Sequence, residues 1–247
     1  MNCIFPGTQR ARLPALAVLC GAVLFFASCS GAVEGVVGQD GSAEITLDIA
    51  LGDQMAGRLR LLNRIIQGGV PDDQAPLLNG PAIALSMQGA PGISAVSLTN
   101  RGPAAVAGVI SVSRIDAFLA LPSSVGREPF IRYDPAGRLV IFLDRETSPQ
   151  LLSLLSEDVR DYLSTLAAPA TTGLPLTRAA YREILASLHG PQVAGEIAAA
   201  HIPITIEFPR PVREVRGGAA QGRRARFDLP LMDILVLEQP LIYEAAW

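Results

Sequence analysis

In Ala43-Glu44-Ile45-Thr46-Leu47-Asp48-Ile49-Ala50-Leu51, apolar Ile45, Leu47, Ile49 and Leu51 alternate with Glu44, Thr46, Asp48 and Ala50. A period of two places the apolar set on one face of a β-strand and the rest on the other. Strands with one buried and one solvated face belong to antiparallel sheets. Val33 to Val37 precedes this stretch across Gly38-Gln39-Asp40-Gly41, a turn-rich tetrapeptide, so residues 33–51 read as a hairpin.

The same alternation recurs along the chain. Ile202, Ile204, Ile206 and Phe208 alternate with Pro203, Thr205 and Glu207, and Ala225, Phe227 and Leu229 with Arg224, Arg226 and Asp228. Ile93–Leu98 and Ala105–Val112 flank a turn at 99–103, and Phe130–Tyr133 and Leu139–Leu143 flank Asp134-Pro135-Ala136-Gly137, with Pro at its second position. Leu231–Leu237 and Leu241–Trp247 read as the last strands.

Helical spacing appears in Met55–Ile66, stopped by Gly68-Gly69, and in a short piece within Ser113–Leu121. Thr147-Ser148-Pro149-Gln150 is a helix start, followed by a stripe from Leu151 to Leu166. Further helices run from Thr177 to Gly190 and from Pro191 to near Ala200. Residues 68–92 hold four prolines and five glycines yet keep Leu77, Leu78, Ile83, Leu85 and Met87, the mark of a packed irregular connection or of a lid. The expected fold is a single α+β domain over 33–247, an antiparallel β-sheet of roughly six to nine strands with the 148–200 helices packed on one face.

The first thirty residues carry an address. Arg10 and Arg12 precede the uncharged stretch Leu13–Ser28, which reads as the signal peptide 1–28. It ends in Phe26-Ala27-Ser28-Cys29, which resembles the lipobox of bacterial lipoproteins with Phe in place of the usual leucine. The resemblance implies thioether lipidation and acylation, palmitate included, of Cys29. Two other readings of these residues are ordinary cleavage near Ala32 and an uncleaved anchor. Cys3 and Cys20 fall in the removed segment, so the exported chain keeps one cysteine and forms no internal disulfide. Ser30 after the cysteine fits outer-membrane delivery in two-membrane bacteria, where Asp is the usual retention signal.

Composition narrows the chemistry. Of 247 residues, 49% are hydrophobic and 17% charged, and all 20 basic residues are arginine. With a mean hydropathy of +0.34, the chain suits an envelope setting. Without lysine there is no Schiff-base or phosphate-loop lysine. Only His189 and His201 offer imidazoles, and no nucleophile elbow, His-Glu-x-x-His or dinucleotide glycine pattern occurs. Asp72-Asp73 and Glu157-Asp158 read as solvated charge. A non-enzymatic protein is expected, with no cofactor, metal or nucleic-acid partner.

The feature that stands out is basic. Residues 210–226 hold six arginines against Glu214, a local charge of +5 in a chain of net charge −3. Gly217 to Gly222 reads as the tip of a hairpin between two arginine-bearing arms. Residues 29–32 form a tether of about 10 Å at most, which would hold the domain against the bilayer. Arg213, Arg216, Arg223, Arg224 and Arg226 would then meet anionic headgroups or an acidic partner, provided the hairpin lies on the side of residue 33.

The hairpin 33–51, the run Phe130-Ile131-Arg132-Tyr133-Asp134-Pro135-Ala136-Gly137-Arg138-Leu139-Val140-Ile141 and the run Ile204-Thr205-Ile206-Glu207-Phe208-Pro209-Arg210-Pro211-Val212 together resemble the LppM-type bacterial lipoproteins. The resemblance implies a START-like α+β domain and envelope lipid binding. Members of that family commonly carry a C-terminal membrane helix, whereas Leu229–Trp247 here is interrupted by Asp233, Glu238, Pro240 and Glu244. The expected role is that of a membrane-anchored envelope lipoprotein binding a lipid or other amphipathic molecule. The alternative is a structural or assembly lipoprotein acting through protein contacts.

Overall fold

The computed structural model describes residues 29–67, 76–119, 131–147 and 168–247. The signal segment, the 148–166 helix and the diacid Asp72-Asp73 lie outside the described residues. The described part is a single α+β domain with two sheets.

Seven strands build the larger sheet: β1 (Cys29–Val37), β2 (Ala43–Leu51), β3 (Ile93–Gly102), β4 (Ala105–Val112), β7 (His201–Glu207), β9 (Gly218–Gln221) and β10 (Arg224–Pro230). Their order is β3-β4-β2-β1-β7-β10-β9. The smaller sheet has the order β5-β6-β11-β8, from β5 (Ile131–Asp134), β6 (Arg138–Leu143), β11 (Leu241–Ala246) and β8 (Glu214–Arg216).

Alternation sets the faces of the large sheet. Phe227, Ile204, Val33 and Leu47 are register partners in neighbouring strands, and all four are buried. They share one apolar cluster with helical residues Met55, Tyr181, Leu185, Val193, Ile197 and Leu235. Those residues come from α1 (Asp53–Gln67), α5 (Arg178–His189), α6 (Pro191–Ala199) and α7 (Leu231–Val236). The opposite face, with Arg226, Thr205, Glu34 and Thr46 in one row, is polar and faces water.

Four sequence expectations change. The large sheet is mixed, because β1 pairs parallel with β7. Residues 29–32, expected to be a tether, belong to β1, with Cys29 opposite Leu51. Leu231–Val236 is a helix in which Leu231, Met232, Ile234, Leu235 and Val236 are buried. A short run that is apolar throughout carries no periodicity to separate a strand from a buried helix. Within the supposed irregular connection lies α2 (Gly80–Met87), capped by the Asn79 side chain and held by Gly80 N–H donating to Asn100 Oδ1 at 3.0 Å. α3 (Ile115–Leu119) and α4 (Pro169–Thr172) complete the described elements.

The expected arginine hairpin also has another shape. Its tip is Gly222-Arg223, between β9 and β10, whereas Gly217-Gly218 is where the chain leaves the small sheet and enters the large one. Gly217 has φ +75, and a Cβ there would lie 2.5 Å from the Ile242 carbonyl oxygen. A Cβ on Gly218 would collide with the Arg226 carbonyl oxygen and approach Phe227 Cδ1 to 2.6 Å.

Aromatic rings close the seam between the sheets. Phe208 stacks on Trp247 with centroids 4.3 Å apart, and Phe227 meets Tyr243 edge-on at 5.9 Å. Gly217→Ala and Gly218→Ala are each expected to cost about 1–3 kcal/mol in urea unfolding, from left-handed strain and overpacking respectively. Gly195→Ala, in α6 with open space around it, is expected to stabilise by about 0.5–1 kcal/mol; equal effects at all three sites would contradict this picture of the crossing.

Candidate functional site: an amphipathic groove on the small sheet

β6 is apolar on both faces. Leu139, Ile141 and Leu143 point to the core, joined there by Ile131, Tyr133, Leu241, Tyr243 and Ala245. Val140 and Phe142 therefore point the other way, with Ile242 of β11 opposite Phe142. Val140 is buried, at 8% exposure, yet stands outside the core cluster. These three side chains floor an open groove of about 490 Å³.

Charge rims the floor. One register row crosses all four strands: Arg132, Val140, Glu244 and Arg216. Beside it Arg138 stands opposite Asp134, and its guanidinium reaches Glu244 at 2.6 Å. The Glu244 side chain is only 17% exposed, so its charge is held under Arg138 rather than offered to solvent. Three guanidiniums and two carboxylates thus stand over an apolar floor, with a polar end at Asp134 and Arg138 and an apolar end at Phe142 and Ile242.

The turn after β5 sets the polar end. Ala136 N–H donates to Asp134 Oδ1 at 2.8 Å, and Arg210 Nη2 donates to the Ala136 carbonyl at 2.9 Å. Gly137 has φ +124, and a Cβ there would strike the Trp247 carbonyl oxygen. Trp247 N–H in turn donates to the Gly137 carbonyl at 2.9 Å. The stack on Phe208 and this turn hold the groove against the large sheet.

The five arginines expected to act together do not form one patch. Arg223 and Arg224 both bind the Glu207 carboxylate, Arg224 Nε at 2.9 Å. Hydrogen bonds from Arg223 and then Arg224 hold the Glu207 carboxyl below its ordinary range. Arg226 lies on the water-facing side of the large sheet, opposite Thr205. Arg213 is exposed just before β8, and of the five Arg216 alone lines the groove.

Their relation to Cys29 is also opposite to expectation. β1 runs parallel to β7 with Val36 level with Glu207, which places Cys29 seven residues away, about 23 Å of strand. The Arg223–Arg224 tip therefore stands at the far end of the large sheet from Cys29, because the parallel pairing fixes the direction of both strands.

Of the candidate lid, Leu78 and Met87 are buried, Leu77 and Ile83 are partly buried against the core, and Leu85 is 69% exposed. These five residues share no single face. Arg132, Arg138, Val140, Phe142, Ile242 and Glu244 were not singled out from sequence. Their signal was the run Leu139–Leu143, apolar on both faces, followed through by asking what covers the second one.

Among the described residues no group of three His, Cys, Asp or Glu side chains could hold a metal, and no helix is long and apolar enough to cross a membrane. No family model matches the chain, and no curated protein does. Among solved structures, the chain is similar to the folded domain of LppM from Mycobacterium tuberculosis, determined by NMR. The identity is 10%, 88% of each chain is covered and the TM-score is 0.37.

Tyr243 lies under the groove on the core side. Burial, with Asp233 and Asp228 adding to it, pushes its phenol from 10.0 up to about 12. A raised folded value means its contribution to stability is complete below pH 10 and lost as pH rises through about 12. Alkaline unfolding followed by tyrosinate absorbance is expected to show a loss of stability across this window that Tyr243→Phe reduces; an unchanged profile in the variant would contradict the assignment.

Proposed function

We propose that the protein is an exported envelope lipoprotein, anchored through Cys29, that binds an amphipathic molecule on the open face of its small sheet. The observation that carries the reading is the floor of Val140, Phe142 and Ile242, an apolar surface outside the core and rimmed by charge. Val140 is buried and Phe142 and Ile242 are half-buried, and a concave apolar floor with a few polar groups around it is the usual form of a small-molecule site. Its volume lies in the range of small-molecule pockets.

The absence of lysine and the nucleophile and metal motifs missing from the sequence support a binding role over catalysis. Ser30 supports delivery to the outer membrane. In this reading β1 starts at the lipidated residue itself, so the Cys29 end of the large sheet sits at the bilayer. The groove's polar end, beside Phe208 and Trp247, is then directed away from the anchoring membrane.

Native mass spectrometry of the purified protein tests the reading. The expected result is an added mass from a co-purified amphipath, lost in Ile242→Glu, which puts a charge on the groove floor, while the urea midpoint stays near that of the natural chain. Retention of the same adduct by Ile242→Glu would place the ligand elsewhere, and an adduct-free natural protein that also takes up no added detergent would contradict the reading.

A further inference from the structure

β1 is the middle strand of the large sheet, with three strands on each side. A domain anchored at Cys29, the first residue of β1, pivots on the centre of that sheet and can lean on either flank. The flanks differ in charge. On one side β2 carries Asp48 and, at the far end from Cys29, Glu44. Beyond it, from Gln74 to Ser113 through α2, β3 and β4, the single charged residue is Arg101, and its guanidinium pairs with Asp48. The other flank, β7, β10 and β9, carries His201, Glu207, Arg223, Arg224, Arg226 and Asp228.

α2 is apolar on both of its sides. Gly80, Ala84 and Met87 are buried, while Pro81, Ala82 and Leu85 are exposed. Leu85 is 69% exposed, the most of any large apolar side chain among the described residues. A helix that is apolar all round is one that is covered all round.

Backbone contacts tie this helix to the anchored end of the sheet. Leu51, the register partner of Cys29, donates its N–H to the Ala104 carbonyl at 2.9 Å, and Leu77 donates to the Pro103 carbonyl at 2.6 Å. α2 starts against the Thr99 backbone and Val106, at the level of Gly31. The chain then returns to Ile93, at the other end of β3.

We infer that α2 is a second membrane contact, and that the domain leans on its β3 edge with Pro81, Ala82 and Leu85 in the bilayer interface. The inference rests on the proposed anchoring through Cys29. α2 starts about 7 Å along the strands from Cys29 and about 12 Å to its side, and Leu85 lies about 7.5 Å further along the helix. A lean of about 50° brings Leu85 and Cys29 to one level. Apolar helix faces enter the interface by about 5–10 Å. Leaning the other way would strip water from His201, Arg226 and Asp228, which is costly, although anionic headgroups would draw the arginines. Lipid charge and salt therefore separate the two leans.

Site-directed fluorescence of the acylated chain tests this in phosphatidylcholine vesicles, with and without phosphatidylglycerol. Cys3 and Cys20 leave with the signal segment and the lipid occupies the Cys29 sulfur, so the natural chain is expected to take up no thiol label. Ala82→Cys and Leu85→Cys then each carry a single nitrobenzoxadiazole probe. Both probes are expected to shift to the blue and to be quenched by nitroxide-labelled lipid, in both kinds of vesicle and equally at low and high salt. Val36→Cys, exposed at the far end of β1, and Arg226→Cys, on the charged flank, are expected to keep the emission of a probe in water.

Quenching at Arg226→Cys with Leu85→Cys left in water would turn the lean to the arginine flank and overturn the inference. A blue shift at Leu85→Cys without nitroxide quenching would mean that protein, a second copy included, covers α2, and would overturn it too. Water-like emission at all four positions, with the natural chain unlabelled, would overturn the lean and leave the anchor standing. Labelling of the natural chain at Cys29 would overturn the anchoring itself, and this inference with it.

Discussion

The passage of the chain through Gly217-Gly218 is the constraint on which the rest of the molecule depends. Two sheets of unequal size share a continuous piece of backbone there, with β8 on one side and β9 on the other. Neither position has room for a side chain, since the Ile242 and Arg226 carbonyls occupy the space. The close approach lets Phe227 meet Tyr243 and Phe208 meet Trp247 across the seam. Pairs of this geometry contribute roughly 0.5–1.5 kcal/mol beyond burial. The same step delivers Arg216 to one sheet and Arg226 to the other, which is why arginines close in sequence end up on separate surfaces.

The small sheet then follows from a mismatch between strand composition and cover. β6 and β11 bring apolar side chains to both faces, and among the described residues the core cluster takes up one of them. The other carries Val140, Phe142 and Ile242 under a rim of arginines. A chain short of charged residues overall has placed five of them around this floor. On the outward face of the large sheet Thr46, Glu34, Thr205 and Arg226 form a polar row, with Val36 exposed beside it.

Much of the fold was legible because period-two strands declare their own faces. Ile45 to Leu51, Ile202 to Phe208 and Ala225 to Leu229 were placed correctly from alternation, and Thr177, Gly190 and Pro191 marked helix ends where the structure has them. Leu231–Val236 failed for a physical reason, because an element buried on every side has no contrast to read. The parallel pairing of β1 with β7 was equally hidden, since it joins residues about 170 apart in sequence and no local pattern encodes it.

The site was less legible than the fold. The arginine run 210–226 was visible as charge, but Glu207, which binds Arg223 and Arg224, is distant enough in sequence that the partnership needed the β7–β10 register. Arg132 and Arg138 figured in the sequence only within the run 130–141, and nothing local to that run places Glu244 of β11 and Arg216 of β8 on the same face of one sheet.

The central claim is that an amphipathic molecule lies on the outer face of the small sheet and not between the sheets and helices. Isotope-filtered NOE spectra of labelled protein with dodecyl phosphate test it most directly. Contacts from the ligand's methylene protons to the methyls of Val140 and Ile242 and to the ring of Phe142 are the predicted result. Contacts instead to Leu47, Ile110 or Ile204, on the inner face of the large sheet, would contradict it.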